Sequence, residues 1–554
     1  EIMPSLVGSE MCIRDRSIKE RKLEHGIQSI YSLRGCSSNN FNPFIALKRE
    51  NCNEYAGEVL GFSFVYSGNF LAQVEVDTYD VTRVMMGIHP HCFSWSLEKG
   101  ESFQTPEVVM VYSNDGLNKM SQTYHKLYQR RLARGKYRDQ VRPILVNNWE
   151  ATYFDFDEEK IMDIAGTAQK LGIELFVLDD GWFGKRNNDV AGLGDWYPNL
   201  QKLPSGISGL SRKINNLGMK FGLWFEPEMV NKNSDLYRNH PQWILETPNR
   251  PSSHGRNQFV LDFSNPEVVI YVYNMMTEVI DKANISYIKW DMNRCMTEVY
   301  SSCHDSESQG RVMHEYILGV YQLYELLTSR FPEILFESCA SGGARFDPGM
   351  MYYAPQCWTS DDTDALERLK IQYGTSMVYP VSSLGAHVSA APNHQLLRNT
   401  PIETRANVAY FGTFGYELDL NKLSMDEQIK VKEQITFMKD YREIIQFGTF
   451  YRLKSPFEGN ETVWMVVSQD QNTAIIGYYR TLQEVNVGYR RVKLLGLDPD
   501  KEYHVNLNNT VHYGDELMNL GLITTDSSCG ENKEKYDGTN GDYLSRIYVL
   551  KAKI

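Results

Sequence analysis

The feature that most constrains this chain lies between Pro143 and Phe414, where short apolar runs alternate eight times with amphipathic helical stretches. Such alternation makes βα units, whose strands are covered on both faces when they join in a parallel sheet. The runs are 144–150, 175–181, 221–229, 287–293, 334–341, 355–361, 377–384 and 408–414. Helical stretches such as 157–171, 265–283 and 311–330 separate them. Eight units in about 270 residues predict an α/β chain built on a (β/α)8 barrel.

The flanks read differently. Residues 17–140 are β-rich, with strands expected over 62–66, 72–76 and 107–112. Ser67-Gly68-Asn69 carries a hairpin signal between the first two. From Gly116 to Arg134 the pattern turns helical and basic and stops at Gly135, which predicts a linker helix. Beyond 450 the β pattern returns at 461–467, 474–479 and 546–550, and the polar, Gly-rich stretch 526–543 reads as a loop. The expected organisation is a partial N-terminal β-sandwich with its linker helix over 17–140, the barrel over 141–450 and a C-terminal antiparallel β-sandwich over 451–554. The first 16 residues stand apart. Met11-Cys12-Ile13-Arg14-Asp15-Arg16 reads as the translation of a transposon-based sequencing adapter, so 1–16 is expected to be foreign sequence. Mass spectrometry of protein from the native source checks this, and finding the peptide there would refute it.

Composition narrows the function by exclusion. A net charge of −13 argues against binding nucleic acid or an anionic membrane surface through bulk charge. No run of about 18 apolar residues predicts a spanning helix. Nine cysteines, with no CxxC pair, point to neither a disulfide framework nor a zinc site. A reducing, cytoplasmic setting without metal or cofactor is the expectation.

In a barrel of this kind the active site sits at the C-terminal ends of the strands. Those ends are rich in carboxylates: Glu150, Asp179, Asp180, Glu226, Glu228, Asp291, Asp361 and Asp362. Burying so many together is costly without a polar ligand to satisfy them. Hydrolysis of a glycosidic bond needs two carboxyl groups at the anomeric carbon, about 5–5.5 Å apart in a retaining enzyme. Asp291 and a carboxylate of the Asp361-Asp362 pair, at the ends of strands four and six, meet that need across the barrel mouth. Lys289 shares a strand face with Asp291 and is expected to keep it ionised. Strand logic alone leaves Asp361 and Asp362 unresolved.

The runs LFVLDDGWFGKR (175–186), FGLWFEPEMV (221–230), YIKWDMNR (287–294), ESCASGGARFDPG (337–349) and WTSDDTDA (358–365) resemble the α-galactosidases of glycoside hydrolase family 36, in order and over essentially residues 40–450. The resemblance implies retaining hydrolysis of terminal α-D-galactosides of the melibiose and raffinose type. It implies Asp291 as nucleophile and Asp361, rather than Asp362, as acid/base. It further implies that Asp179 and Asp180 bind galactose hydroxyls, including the axial O4, and that Trp149 and Trp224 wall the pocket. Arg256, Lys289, Cys339, Ser341 and Gly342 would contact the remaining hydroxyls. The family also implies a homo-oligomer, a tetramer built through an N-terminal sandwich larger than the roughly 120 residues before this barrel. Truncation at the adapter-like stretch is therefore expected, with consequences for assembly.

Plainer readings stand beside these. Asp179-Asp180-Gly181 is also a turn sequence, and Cys339 also a buried small hydrophobe. Trp149 and Trp224 also suit a barrel core, and Lys289 is also an ordinary ion-pair partner for Asp291. His387 reads as a satisfied core histidine. Glu226 and Glu228 read as partners of nearby basic residues without a catalytic role. The competing functions are a transglycosylase, an α-N-acetylgalactosaminidase, a silent sugar-binding protein and a metal-dependent hydrolase. The last lacks an HExxH motif, and its one HxH, at His89 and His91, precedes the barrel.

Overall fold

The computed structural model describes residues 2–4, 17–485, 489–507, 509–524 and 541–553. Most of the adapter-like stretch and most of the expected loop 526–543 lie outside the described residues. The eight central strands close into one parallel barrel, each bonded to the next in sequence and the last to the first. In chain order, strands one to eight are Leu145–Asn147, Leu175–Leu178, Lys220–Phe225, Tyr287–Trp290, Leu335–Ser338, Gln356–Trp358, Leu384–Ser389 and Thr413–Glu417. Apart from Lys220, every residue in them is buried. Burial on both faces explains why the strands read as unbroken apolar runs rather than as alternating ones.

Caps set the helix registers. Asp157 accepts the Lys160 N–H ahead of helix Glu158–Leu171, and Gly172 ends that helix in the left-handed region at φ 95°. Asn265 caps Pro266–Lys282, with proline in the first turn. A capping box of Ser424 and Glu427 opens Met425–Phe447.

Strands seven and eight depart from the sequence expectation. The run 377–384 is mostly the approach to strand seven, which occupies 384–389. The run 408–414 begins in helix Ile402–Ala409, and strand eight is 413–417. Both segments are buried throughout, so apolarity could not tell helix end from strand. The hairpin expected at Ser67-Gly68-Asn69 is also absent. Strand Val59–Val65 pairs with Phe44–Lys48 and Glu107–Ser113, whereas Phe70–Val76 pairs with Gly26–Ser32 and Thr82–Ile88. The three residues instead carry the chain from one N-terminal sheet to the other. They do so pressed against the barrel: Ser67 Oγ donates to Asp347, and Gly68 has Tyr66 and Ile317 within 3 Å of where a Cβ would stand. Tertiary docking outweighs the local turn signal here.

Helix Gly116–Leu127 follows the N-terminal sheets. The C-terminal region forms a six-stranded antiparallel sheet in the order 449–454, 461–467, 473–480, 544–552, 502–505, 510–513. It encloses an apolar cluster of its own, including Met465, Ile476, Tyr503 and Leu550. Among the described residues, no helix is long and apolar enough to cross a membrane.

Candidate active site

The strands end one to three residues before the acids of interest, so the carboxylates sit on the first turns of the loops that leave the barrel. Strand four stops at Trp290, and Asp291 follows at once, its N–H bonded to the Phe225 carbonyl of strand three. Four N–H groups hold its side chain. Oδ2 accepts from Trp224 Nε1 at 3.3 Å and Asn293 Nδ2 at 2.6 Å; Oδ1 accepts from the backbone of Met292 at 2.8 Å and of Ser341 at 3.2 Å. A carboxylate so bonded has one orientation.

Asp361 lies three residues beyond strand six, half-buried, with Oδ1 accepting from Trp358 Nε1 at 3.1 Å. Burial, and after it the charge of Asp291, push its carboxyl up to about 7, against the pull of Lys289 and Arg256. Consecutive residues of the loop after strand five tie the two acids together. Ser341 bonds Asp291, while a Cβ added to Gly342 would stand 2.8 Å from the Asp361 nitrogen. With φ at 80° and backbone this close, only glycine fits at 342. Asp362 faces elsewhere, accepting from the Asp364 N–H, and burial raises it to about 6.

On the far side of the mouth, Asp179 and Asp180 follow strand two. Asp179 Oδ2 accepts from Lys289 at 2.9 Å and Asn147 at 2.6 Å. Asp180 receives a forked guanidinium from Arg186, whose Nη2 lies 2.8 Å from Oδ2. Lys289 is thus the direct partner of Asp179, not of Asp291 as its strand position implied. Burial works to lower the Lys289 ammonium, but Asp179, ahead of Glu417, overrides it and holds the ammonium well above its ordinary range.

Trp224 is buried with its ring stacked on Phe183, 6.1 Å between centroids. Trp149 is half-buried at the start of the short helix after strand one. Arg256 is exposed at the rim and reaches Asn293 Oδ1 at 2.8 Å, which also accepts from Ser341 Oγ at 2.9 Å. Cys339 is buried below, its thiol raised well above the usual range by burial and then by Asp291.

One participant escaped the sequence reading. Asn293 is a hub for Asp291, Arg256 and Ser341, and its own N–H is accepted by Glu226. Its place two residues after Asp291 was the available signal. Glu226, wholly buried, is pushed up to about 8 by burial and then by Asp291, with Gln258 as its side-chain partner. Glu228 is a structural ion: Arg345 grips both its oxygens, and Trp290 and Tyr316 donate to it, all out of solvent. His387 is partnered at Nδ1 by Glu417 at 3.0 Å and packs against Trp358 with the rings tilted by 35° and 4.4 Å between centroids. Among the described residues, no cluster of His, Cys, Asp and Glu has the makings of a metal site.

Comparisons with known proteins agree with this geometry. Three family models match in series: the glycosyl hydrolase family 36 N-terminal domain over residues 12–98, melibiase over 102–448 and the family 36 C-terminal domain over 461–550. α-Galactosidase AgaA of Geobacillus stearothermophilus is 56% identical over 97% of this chain and 72% of its own length. Mel36A of Lactobacillus acidophilus is 46% identical with the same coverage. A crystal structure of an AgaA variant in complex with raffinose superposes with a TM-score of 0.95, at 55% identity, covering all of this chain and 74% of that one. The two hydrogen-bonded aspartates thus stand in a familiar frame, and the chain belongs to glycoside hydrolase family 36, the α-galactosidases.

Proposed function

We propose that Asp291 and Asp361 are the nucleophile and the acid/base of a retaining α-galactosidase acting on oligosaccharides of the melibiose and raffinose type. The observation that carries this reading is the contrast between the two acids. Asp291 is aimed by four N–H donors, whereas Asp361 is pushed to about 7 and so holds a proton near neutrality. In the first step Asp361 protonates the departing glycosidic oxygen while Asp291 attacks the anomeric carbon, forming a glycosyl ester. Esterification removes the charge on Asp291, and with it the second cause that raises Asp361. The freed carboxylate then takes a proton from water as that water attacks, and the second inversion gives net retention.

Asp179 and Asp180 are held by Lys289 and Arg186 with lone pairs left for hydroxyls, and we assign them to the galactose ring with its axial O4. A site built to bond one epimer leaves buried groups unpaired with the other, which disfavours glucosides. Trp149, Trp224, Arg256, Lys289, Cys339, Ser341 and Gly342 complete the pocket in the same reading. The division into 17–140, 141–450 and 451–554, cytoplasmic residence and homo-oligomeric assembly belong to this proposal too; light scattering of the purified chain tests the last.

A panel of nitrophenyl α- and β-glycosides tests reaction, anomer and sugar together, with turnover of the α-galactoside alone expected. Asp291→Ala should lose turnover, and azide should restore it in part as the β-galactosyl azide. Undiminished activity in that variant would remove the mechanism.

A further inference from the structure

The segment Arg34–Asn42, RGCSSNNFN, joins two N-terminal strands without regular structure of its own, yet Cys36, Ser37, Ser38, Asn39 and Asn42 are all buried. A buried loop must find partners for its polar groups, and this one finds them on two barrel loops. On the loop that follows the nucleophile, Met296 N–H donates to the Arg34 carbonyl at 2.9 Å, and Asn39 Nδ2 reaches Cys295 Sγ at 3.0 Å. On the loop after strand five, the Ala344 carbonyl accepts from Ser38 N–H at 2.8 Å. The Phe346 carbonyl there accepts from Ser38 Oγ at 2.8 Å and from Asn42 Nδ2 at 2.7 Å. Ser37 Oγ donates to Asp347 at 2.6 Å. Asn42 is fully engaged, since it also donates to Ser38 Oγ and accepts from Tyr379.

The second of these loops is the one whose Ser341 N–H bonds Asp291 and whose Gly342 abuts the backbone of Asp361. We propose that the N-terminal loop Arg34–Asn42 is a positioning element of the catalytic centre, with Ser38 and Asn42 as its positioning residues. It clamps the loop after strand five, and the separation of the two working carboxylates depends on that clamp. The N-terminal module therefore serves the chemistry of the barrel through the loops that carry the two acids. This inference rests on the assignment of Asp291 and Asp361. The two fail separately, because the Asp291→Ala result above judges that assignment without reference to the N-terminal loop.

The test uses the full chain with Ser38→Ala and Asn42→Ala, and Val111→Ala in an N-terminal sheet as a control of comparable lost stability. Kinetics on nitrophenyl α-galactoside are read well below every Tm. Displacement of a reacting group by about 1 Å costs roughly 100-fold. The expected result is therefore a fall in kcat of about 10- to 100-fold in Ser38→Ala and Asn42→Ala, with KM changed by less than about threefold. The alkaline limb of their pH profiles should also shift, because the charge of Asp291 acts on Asp361 through their separation. Val111→Ala should keep kcat and the limb. Should Asn42→Ala fail to fold, Ser38→Ala decides alone, and Ser38→Thr, which keeps the hydroxyl, should recover kcat relative to Ser38→Ala. Wild-type kcat and pH limb in folded Ser38→Ala would overturn the proposal, as would an equal fall in Val111→Ala.

Discussion

The barrel mouth holds two populations of carboxylates in opposite surroundings. Asp180 and Glu228 each meet a guanidinium that engages both oxygens, and Asp179 meets the Lys289 ammonium. Among the described residues, no such cation stands at hydrogen-bond distance from Asp361, Glu226 or Asp362, and their carboxyls rise to about 7, 8 and 6. The paired acids are oriented by their cations and shape the cavity, although burial still holds the Asp179 carboxyl above its ordinary range against the pull of Lys289. Of the second group, Asp361 and Glu226 hold protons near neutral pH, and a proton available near neutrality is what general acid catalysis requires. Asp291 belongs to neither group: N–H donors of Trp224, Asn293, Met292 and Ser341 hold it.

The contrast breaks most sharply at Asp291. Its replacement by alanine is expected to cost on the order of 10⁴-fold or more in kcat on aryl galactosides, by analogy with other covalent catalysts stripped of their nucleophile. Thermal stability should change far less, and stopped assays beside calorimetry separate the two.

Next in size is the paired group. Glu228→Gln leaves Arg345 buried against a neutral amide, and breaking such a pair costs about 3–5 kcal/mol. Denaturant unfolding should show a loss of that order. A variant as stable as wild type would mean the pair carries no structural weight.

A moderate effect is expected from pH. Catalysis needs Asp361 protonated, so kcat/KM should fall about tenfold per unit above roughly pH 7, and a limb near pH 4 would refute the pKa contrast. Stability follows a definite sign. The folded carboxyl titrates at about 7, above the unfolded value of roughly 3.9, so the folded state binds its proton more tightly. That contribution is complete below pH 4 and lost as pH rises towards 7. Asp361→Asn should therefore gain in Tm over wild type as pH rises from 4 to 7, while activity is lost. A constant gap would show that the site does not strain its own acid.

The smallest change is expected from Glu226→Gln. At neutral pH that side chain already carries a proton, and Gln258 Oε1, buried without a hydrogen-bond partner, gives its amide room to reverse. Stability at pH 6 should move by less than about 1 kcal/mol, with the Asn293 N–H contact kept. A large loss would mark Glu226 as a working anion.

Much of the frame was legible in the chain because it rests on local repetition. Strands one to six stand close to where apolar runs and helical stretches placed them, and Asp179, Asp180, Asp291 and Asp361 all gather at one mouth. What misled was also local. Segments 377–384 and 408–414 are buried whether helical or extended, and Ser67-Gly68-Asn69 looks like a turn whatever sheet the next strand joins. Lys289 shares a face with Asp291, yet the curvature of the barrel carries its ammonium past strand three to Asp179 at the end of strand two.

The sequence by itself determined the barrel, the ring of acids at its strand ends and the family to which the chain belongs, since periodicity and motif spacing are properties of the chain in order. Only the tertiary structure decided which acids meet cations and which are pushed up by burial. It alone showed Asn293 as the hub of the nucleophile and the N-terminal loop Arg34–Asn42 braced against two barrel loops. The reason is physical: charge and hydrogen bonding depend on distances between groups far apart in the chain, and those distances exist only once the barrel has closed.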